Sequence, residues 1–157
     1  MRNKLSTFTA ALAVLVIGCR ETEERQFANQ QAIVVAGAID RGWIPDWLPL
    51  SARDIRERHR VDSPSTLVMF YFNEEDRERL EGQCEPTVRP HRRPSPSVLA
   101  GVRWWPKELV NPDRRTSDRG FRYFRCDEQE QFGDGHIERR ATGLAVRTDQ
   151  PVAFFWR

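Results

Sequence analysis

The chain has almost no lysine and no excess of either charge once its amino-terminal segment is set aside. Lys4 and Lys107 are its only lysines. Of its 25 basic and 23 acidic residues, residues 1–18 hold two basic ones and no acidic one, so that 23 of each remain. A balanced chain lacks the basic surface that nucleic-acid binding requires. We therefore predict no nucleic-acid partner.

Motifs for catalysis and for cofactors are missing as well. The sequence has no G-x-S-x-G nucleophile elbow, H-E-x-x-H helix, P-loop or dinucleotide fingerprint. Its three histidines, His59, His91 and His136, have no metal-ligand spacing. His59 and Asp62 could form an acid–base pair, but positions 59 and 62 of a strand point to opposite faces. We predict no catalytic residue, no metal and no cofactor.

A short apolar stretch at the amino terminus is the strongest functional signal. Leu5 to Ile17 follows two basic residues, as in a cleaved secretory signal, and is shorter than the roughly 20 apolar residues of a membrane span. It ends in Val16-Ile17-Gly18-Cys19, which resembles the lipobox of bacterial lipoprotein precursors. The resemblance implies a lipoprotein signal peptide over residues 1–18 and acylation of Cys19. The alternatives are an ordinary signal peptide cleaved nearby and a helix held in a core.

Lipidation would decide where the protein lies. A diacylglyceryl group plus an amide-linked chain, such as palmitate, suffices for stable attachment to a bilayer. Arg20, rather than an aspartate, follows the cysteine, and the resemblance then implies the periplasmic face of the outer membrane. Residues 19–26 are charged and have no apolar partner, so we predict a short tether there.

Cys84 and Cys126 are the two cysteines that would remain beside the lipidated one. In an oxidising compartment an even pair indicates a disulfide bond. The alternative is two separately buried thiols.

Hydrophobic patterning predicts one α+β domain over residues 27–157. Ala28, Ala32, Val35 and Ile39 form a helical stripe that Gly42 ends, and a second helix is predicted over residues 74–80. Strands are predicted over residues 53–61, 67–72, 121–126, 136–147 and 152–156. The expected architecture is a single, mostly antiparallel sheet of about five strands with two to three helices on one face.

A proline-rich segment interrupts this pattern. Residues 83–119 hold six of the ten prolines, so we predict a long loop there. Trp104 and Trp105 lie in it, and adjacent residues of an extended chain face opposite ways. At least one of these rings should therefore be partly exposed, which makes the pair a candidate contact for a partner.

Residues 38–62, AIDRGWIPDWLPLSARDIRERHRVD, resemble a signature of short, uncharacterised bacterial lipoproteins. The shared pattern is GW, P, LP, SA, I and a closing H-x-x-D. The resemblance implies an envelope location and carries over no catalytic residue. Within it, we predict that Trp43, Pro45, Leu48 and Pro49 form a structural motif over the seam between helix and sheet. An exposed binding surface is the alternative.

Together these features predict a lipid-anchored envelope protein that acts without catalysis, as an interaction or assembly module with a protein partner. One alternative is a glycan or peptidoglycan binder that uses exposed tryptophans. Another is an envelope hydrolase whose site is assembled from residues that are distant in sequence.

Overall fold

Seven antiparallel strands form one continuous sheet in the computed structural model, which describes residues 22–90, 92–110, 120–131 and 137–157. The spatial order of the strands is β1-β2-β3-β7-β6-β5-β4. Their bounds are β1 Thr22–Asn29, β2 Arg53–Arg60, β3 Thr66–Tyr71, β4 Glu85–Thr87, β5 Phe121–Gln131, β6 Ile137–Arg147 and β7 Val152–Trp156. The predicted signal peptide and Cys19 lie outside the described residues.

The helices are short. They are α1 Gln30–Val35, α2 Arg77–Glu81, α3 Pro96–Leu99 and α4 Lys107–Val110, with a 3-10 turn over Glu74–Asp76 before α2. Asn29 begins α1, because its side chain accepts a hydrogen bond from the backbone N–H of Ala32. Helices of four to six residues are not stable by themselves and depend on packing against the sheet.

The predicted α+β class is wrong, since the described part of the chain is mostly β. The structure confirms the strands predicted over residues 53–61, 67–72, 121–126, 136–147 and 152–156. It adds two edge strands, β1 and β4. The first predicted helix is cut to six residues, because Gly37 adopts a left-handed backbone (φ 64°) just after α1 ends.

Both added strands escape hydrophobic patterning because they lie at the sheet edges. In β1 only Phe27 is buried, so the strand resembles a solvated charged segment. The tether predicted over residues 19–26 is instead part of this strand from Thr22 onwards. In β4, three residues long, Pro86 is tolerated because an edge strand can lack one ladder hydrogen bond.

Both faces of the central strands are buried. Val68 and Phe155 point to what we call the first face, with α1, α2 and the loop between α1 and β2 packed over it. Leu67 and Phe154 point to the second face. Strands buried on both faces are continuously apolar, as residues 67–70 and 152–156 are.

The proline-rich segment covers the second face, so the helices do not all pack on one side as predicted. Val98 of α3, Leu109 of α4 and Trp105 between them are at most 5% exposed and pack in the second-face core. Proline-rich chain can serve as a covering layer because it needs few hydrogen bonds from neighbours. This segment is therefore part of the core and not only a surface loop.

Gly143 is required by its neighbour across the sheet. It pairs with Trp156, and a Cβ atom at position 143 would overlap the Trp156 indole. The pairing of β5 with β6 runs without a register shift through Thr142 and Gly143. The glycine thus makes room for a large ring and does not mark a bulge.

A disulfide joins Cys84, just before β4, to Cys126 in β5. This is the pairing that the sequence predicts. The bond closes 42 residues of sequence that include the proline-rich segment. Closing a loop of that size lowers the entropy of the unfolded chain and stabilises the fold by about 4 kcal/mol in the chain-entropy account.

Candidate functional site

An open cleft of about 880 Å³ lies at one end of the sheet, on its first face. At this end β1 begins, β2 turns into β3, and β7 finishes. We call it the cleft end. Three segments border the cleft: the loop of residues 39–47, the β2–β3 turn of residues 60–64, and residues 127–129 of β5 with Arg140 of β6.

Strands β5 and β6 continue beyond the rest of the sheet at the cleft end. Gly143 pairs with Trp156, the last residue of β7, and six further β5–β6 pairs follow, from Cys126 with Thr142 to Gln131 with Ile137. We call this two-stranded extension the ribbon. It forms the wall of the cleft opposite the β2–β3 turn.

A stack of three side chains lies between these walls. Nδ1 of His59 is 2.8 Å from Oε1 of Glu57, and both residues are buried, at 3% and 0% exposure. The Trp43 ring lies over the imidazole of His59, with ring centroids 4.1 Å apart and planes 12° from parallel. Trp43 itself is half-buried and covers one face of the imidazole, while His59 still borders the cleft with a small part of its surface.

Strand geometry accounts for the contact between Glu57 and His59. Ile55, Glu57 and His59 alternate along β2 and all face the first face. The register sets Arg25 of β1 opposite Glu57, and Thr66 of β3 opposite His59. His59 therefore contacts the carboxylate two residues earlier on the same face.

The loop that carries Trp43 is shaped by Gly42 and fixed by its apolar residues. Gly42 has a left-handed backbone (φ 68°) and directs the chain into Trp43 at the cleft end. Pro45, Leu48 and Pro49 then run back over the first face and are buried there. The structure thus places three of the four predicted motif residues in the seam between loop and sheet, with Trp43 half-exposed at its rim.

Burial makes both members of the Glu57–His59 pair neutral at pH 7. Loss of solvent raises the pKa of Glu57 to about 8, although a hydrogen bond from Thr66 acts in the opposite direction. Loss of solvent also lowers the pKa of His59 below its usual 6.5. Oε2 of Glu57 has no hydrogen-bond partner among the described residues, which further disfavours a carboxylate.

Arginines cover the Trp43 ring. The guanidinium carbons of Arg25 and Arg41 lie 4.4 and 4.8 Å from the ring centroid. Such contacts combine cation–π attraction with stacking. Glu23 accepts a hydrogen bond from Arg25 at 2.8 Å, which lowers the pKa of Glu23. The stack therefore continues from the buried pair through Trp43 to charged groups at the surface.

Arg157 ties two borders of the cleft together. Its Nη2 donates a 2.7 Å hydrogen bond to the carbonyl oxygen of Gly42, in the loop. Its Nε lies 3.2 Å from Oε2 of Glu128, in the ribbon. The guanidinium is mostly buried, so the loop and the ribbon are held at a fixed separation.

His59 and Asp62 have different hydrogen-bond partners. Asp62 lies in the β2–β3 turn and accepts two hydrogen bonds from Arg60, at 3.0 and 2.9 Å, whereas His59 contacts Glu57. Glu57 was not predicted. The signal for it is present in the sequence, because positions 57 and 59 of a strand share a face.

The two tryptophans of the proline-rich segment differ in exposure. Trp105 is 5% exposed and packs edge-on against Phe154 and Trp156. Trp104 is half-buried, and its Nε1 donates a 3.0 Å hydrogen bond to Glu24 of β1. The Trp105 ring lies in the second-face core and is not exposed for the predicted partner contact. Of the pair, Trp104 alone stays accessible.

Neither a metal site nor a membrane-spanning helix is found in the described part of the chain. No group of three or more histidine, cysteine, aspartate or glutamate residues there is placed to hold a metal ion. None of the described helices has the length and apolar character needed to cross a bilayer.

Comparison with known proteins gives a family match within the amino-terminal half of the chain. A family model described as the YbbD head domain matches residues 21–72, which comprise β1, α1, the Trp43 loop, β2 and β3. This part supplies Trp43, Glu57 and His59. No curated protein and no solved structure matches the chain significantly.

The buried pair predicts a pH-dependent stability. Unfolded chain releases the Glu57 proton near the usual pKa of 4.5, whereas the folded protein retains it up to about pH 8. The folded state then binds more protons over this interval, so its stability falls as the pH rises. Between pH 6.5 and 8, wild type should lose up to about 1.4 kcal/mol of unfolding free energy per pH unit relative to Glu57→Gln.

Denaturant titrations at several pH values in this window measure the difference. His59 contributes with the opposite sign near its usual pKa of 6.5, because its pKa is lower in the folded protein, and this contribution is removed when wild type is compared with Glu57→Gln. Glu75→Gln is the control, because it changes an exposed glutamate. Its unfolding free energy should depend on pH as that of wild type does. If the unfolding free energy changes with pH equally in wild type and in Glu57→Gln, Glu57 is ionised in the folded protein.

Proposed function

We propose that this protein is a lipid-anchored component of the bacterial cell envelope that binds a protein partner at the cleft and catalyses no reaction. One observation carries the proposal: an open, polar cleft is built on a buried, neutral Glu57–His59 pair that Trp43 covers. Such a pair supports the shape of the cleft, and it leaves only 3% of His59 exposed there.

Three independent features support the envelope location. The Val16-Ile17-Gly18-Cys19 tetrapeptide resembles a lipobox. The Cys84–Cys126 disulfide is typical of an oxidising compartment. The match of residues 21–72 to the YbbD head domain supports an envelope-associated protein whose role that match leaves undefined. The periplasmic face of the outer membrane, favoured by Arg20, is the finer part of the proposal.

The borders of the cleft suit a protein partner. Its described lining includes four arginines and five carboxylates, and the apolar side chains of Trp47 and Val61 lie between these charged groups. Arg60–Asp62 and Arg157–Glu128 are already paired, so the surface offers an ordered mixture of both charges and not a single-sign patch. Mixed polar borders around aromatic groups are typical of transient protein interfaces.

The other two functions have less support. A glycan platform on Trp104 and Trp105 would need two accessible rings, and Trp105 is in the core. An envelope hydrolase would need a base that can reach substrate, and His59 is 3% exposed beneath Trp43. Neither the Trp105 ring nor the His59 imidazole is therefore exposed enough to act on a bound ligand.

The anchor is tested by Cys19→Ser. In a bacterial host, wild type should incorporate labelled palmitate and end in an acylated Cys19, whereas Cys19→Ser should remain an unlabelled precursor, because acylation requires the thiol. Mass spectrometry of the membrane-extracted protein distinguishes the two. An unmodified mature amino terminus at another position in wild type would refute the lipoprotein assignment.

The partner is tested by a photoreactive residue introduced at Asp46, which is exposed and lines the cleft. The matched control is the same residue at Glu75, exposed at the opposite end of the sheet. Irradiation of intact cells should give a discrete protein adduct at position 46 and none at position 75. Adducts only to glycan, or equal adducts at both positions, would contradict a protein partner at the cleft.

A further inference from the structure

The start of β1 limits how far the domain can stand from its lipid. This inference rests on the proposed lipidation of Cys19. Only Arg20 and Glu21 separate that residue from Thr22, the first residue of β1. Three residue steps span at most about 11 Å even when fully extended. A domain joined so closely to its anchor cannot turn freely above the membrane.

The register of the sheet fixes which end is held there. Thr22 pairs with Arg60, the last residue of β2, and β1 then runs away from this point. Its eight residues span about 26 Å at the usual rise, so Asn29 and the opposite end of the sheet are free to lie far from the anchor. The anchored corner is the cleft end.

The ribbon supplies a second point at the same end but on the other side of the cleft. Its six residue pairs extend about 20 Å past the last residue of β7. The exposed side chains of its described part include Asp127, Gln129 and Arg139, which are polar and suited to lipid headgroups but not to the hydrocarbon core. Val61, 62% exposed in the β2–β3 turn, lies between the anchor and the ribbon.

We propose that the cleft end of the sheet is the surface that faces the bilayer, with the β2–β3 turn and the ribbon at the level of the lipid headgroups. A partner that enters the cleft must then lie at the membrane surface. Electrostatic attraction to anionic lipid contributes little to this orientation, because the cleft is lined by four arginines and five carboxylates. The orientation is therefore set by the short link to the lipid.

The orientation can be measured with the full lipidated chain in vesicles of phosphatidylethanolamine and phosphatidylglycerol that contain a headgroup nitroxide quencher. A fluorophore is attached to a single introduced cysteine in Val61→Cys, in Ala28→Cys or in Thr148→Cys. All three positions are exposed. They mark, respectively, the cleft end, the far end of the β1 edge and the opposite end of the sheet.

Quenching should be several-fold stronger at position 61 than at positions 28 and 148, and the ranking should stay the same when the phosphatidylglycerol fraction is changed. Equal quenching at 61 and 28 would mean that the β1 edge lies flat on the membrane. Strongest quenching at 148, or none at any position, would also overturn the proposal.

Flotation with the vesicles separates this proposal from the anchor on which it rests. Wild type should float and Cys19→Ser should not. If wild type does not float, the proposed lipid anchor is wrong and the orientation falls with it. If wild type floats but position 61 is not preferentially quenched, only the orientation is wrong.

Discussion

Burial of the central strands on both faces is the constraint on which the rest of the structure depends. Val68 and Phe155 on one side, and Leu67 and Phe154 on the other, leave no solvated face in the middle of the sheet. A single-domain chain can satisfy this only by covering the sheet twice. The loop between α1 and β2 covers the first face, and the proline-rich segment with α3 and α4 covers the second.

The candidate site follows from the first covering layer. The loop must run along the first face to bury Leu48, and Gly42 brings Trp43 to the cleft end of the sheet. Trp43 covers the His59 imidazole there and removes Glu57 from solvent, which raises the pKa of Glu57 to about 8. The same contacts that complete the core thus shape the cleft, so the core and the cleft share residues at this end of the sheet.

Sequence patterns predict the interior of this fold better than its edges. Continuous apolar runs, as in β3 and β7, identify buried strands because neither side tolerates polar groups. Edge strands lack that requirement, so the charged β1 resembles a tether and the three residues of β4 resemble a loop. The Cys84–Cys126 bond could be predicted from the number of cysteines and an expected oxidising compartment. The burial of Trp105 depends on the second face of the sheet, which local sequence does not reveal.

The part of the site that local sequence misses is also tertiary in origin. Alternation along β2 puts Glu57 and His59 on one face, but their burial and neutrality require Trp43, which arrives from a different segment. Arg157 likewise meets Gly42 and Glu128 only after β7 and β5 have joined the sheet.

The unfolding free energy of Trp105→Ala tests the double-sided sheet most directly, with Arg103→Ala, an exposed neighbour in the same segment, as the matched control. If the proline-rich segment forms half of the core, Trp105→Ala should lower the unfolding free energy by about 3 to 5 kcal/mol. Arg103→Ala should then change it by no more than about 0.5 kcal/mol. A Trp105→Ala variant as stable as its control would mean that the second face does not depend on this segment, which would contradict a core built on both sides of the sheet.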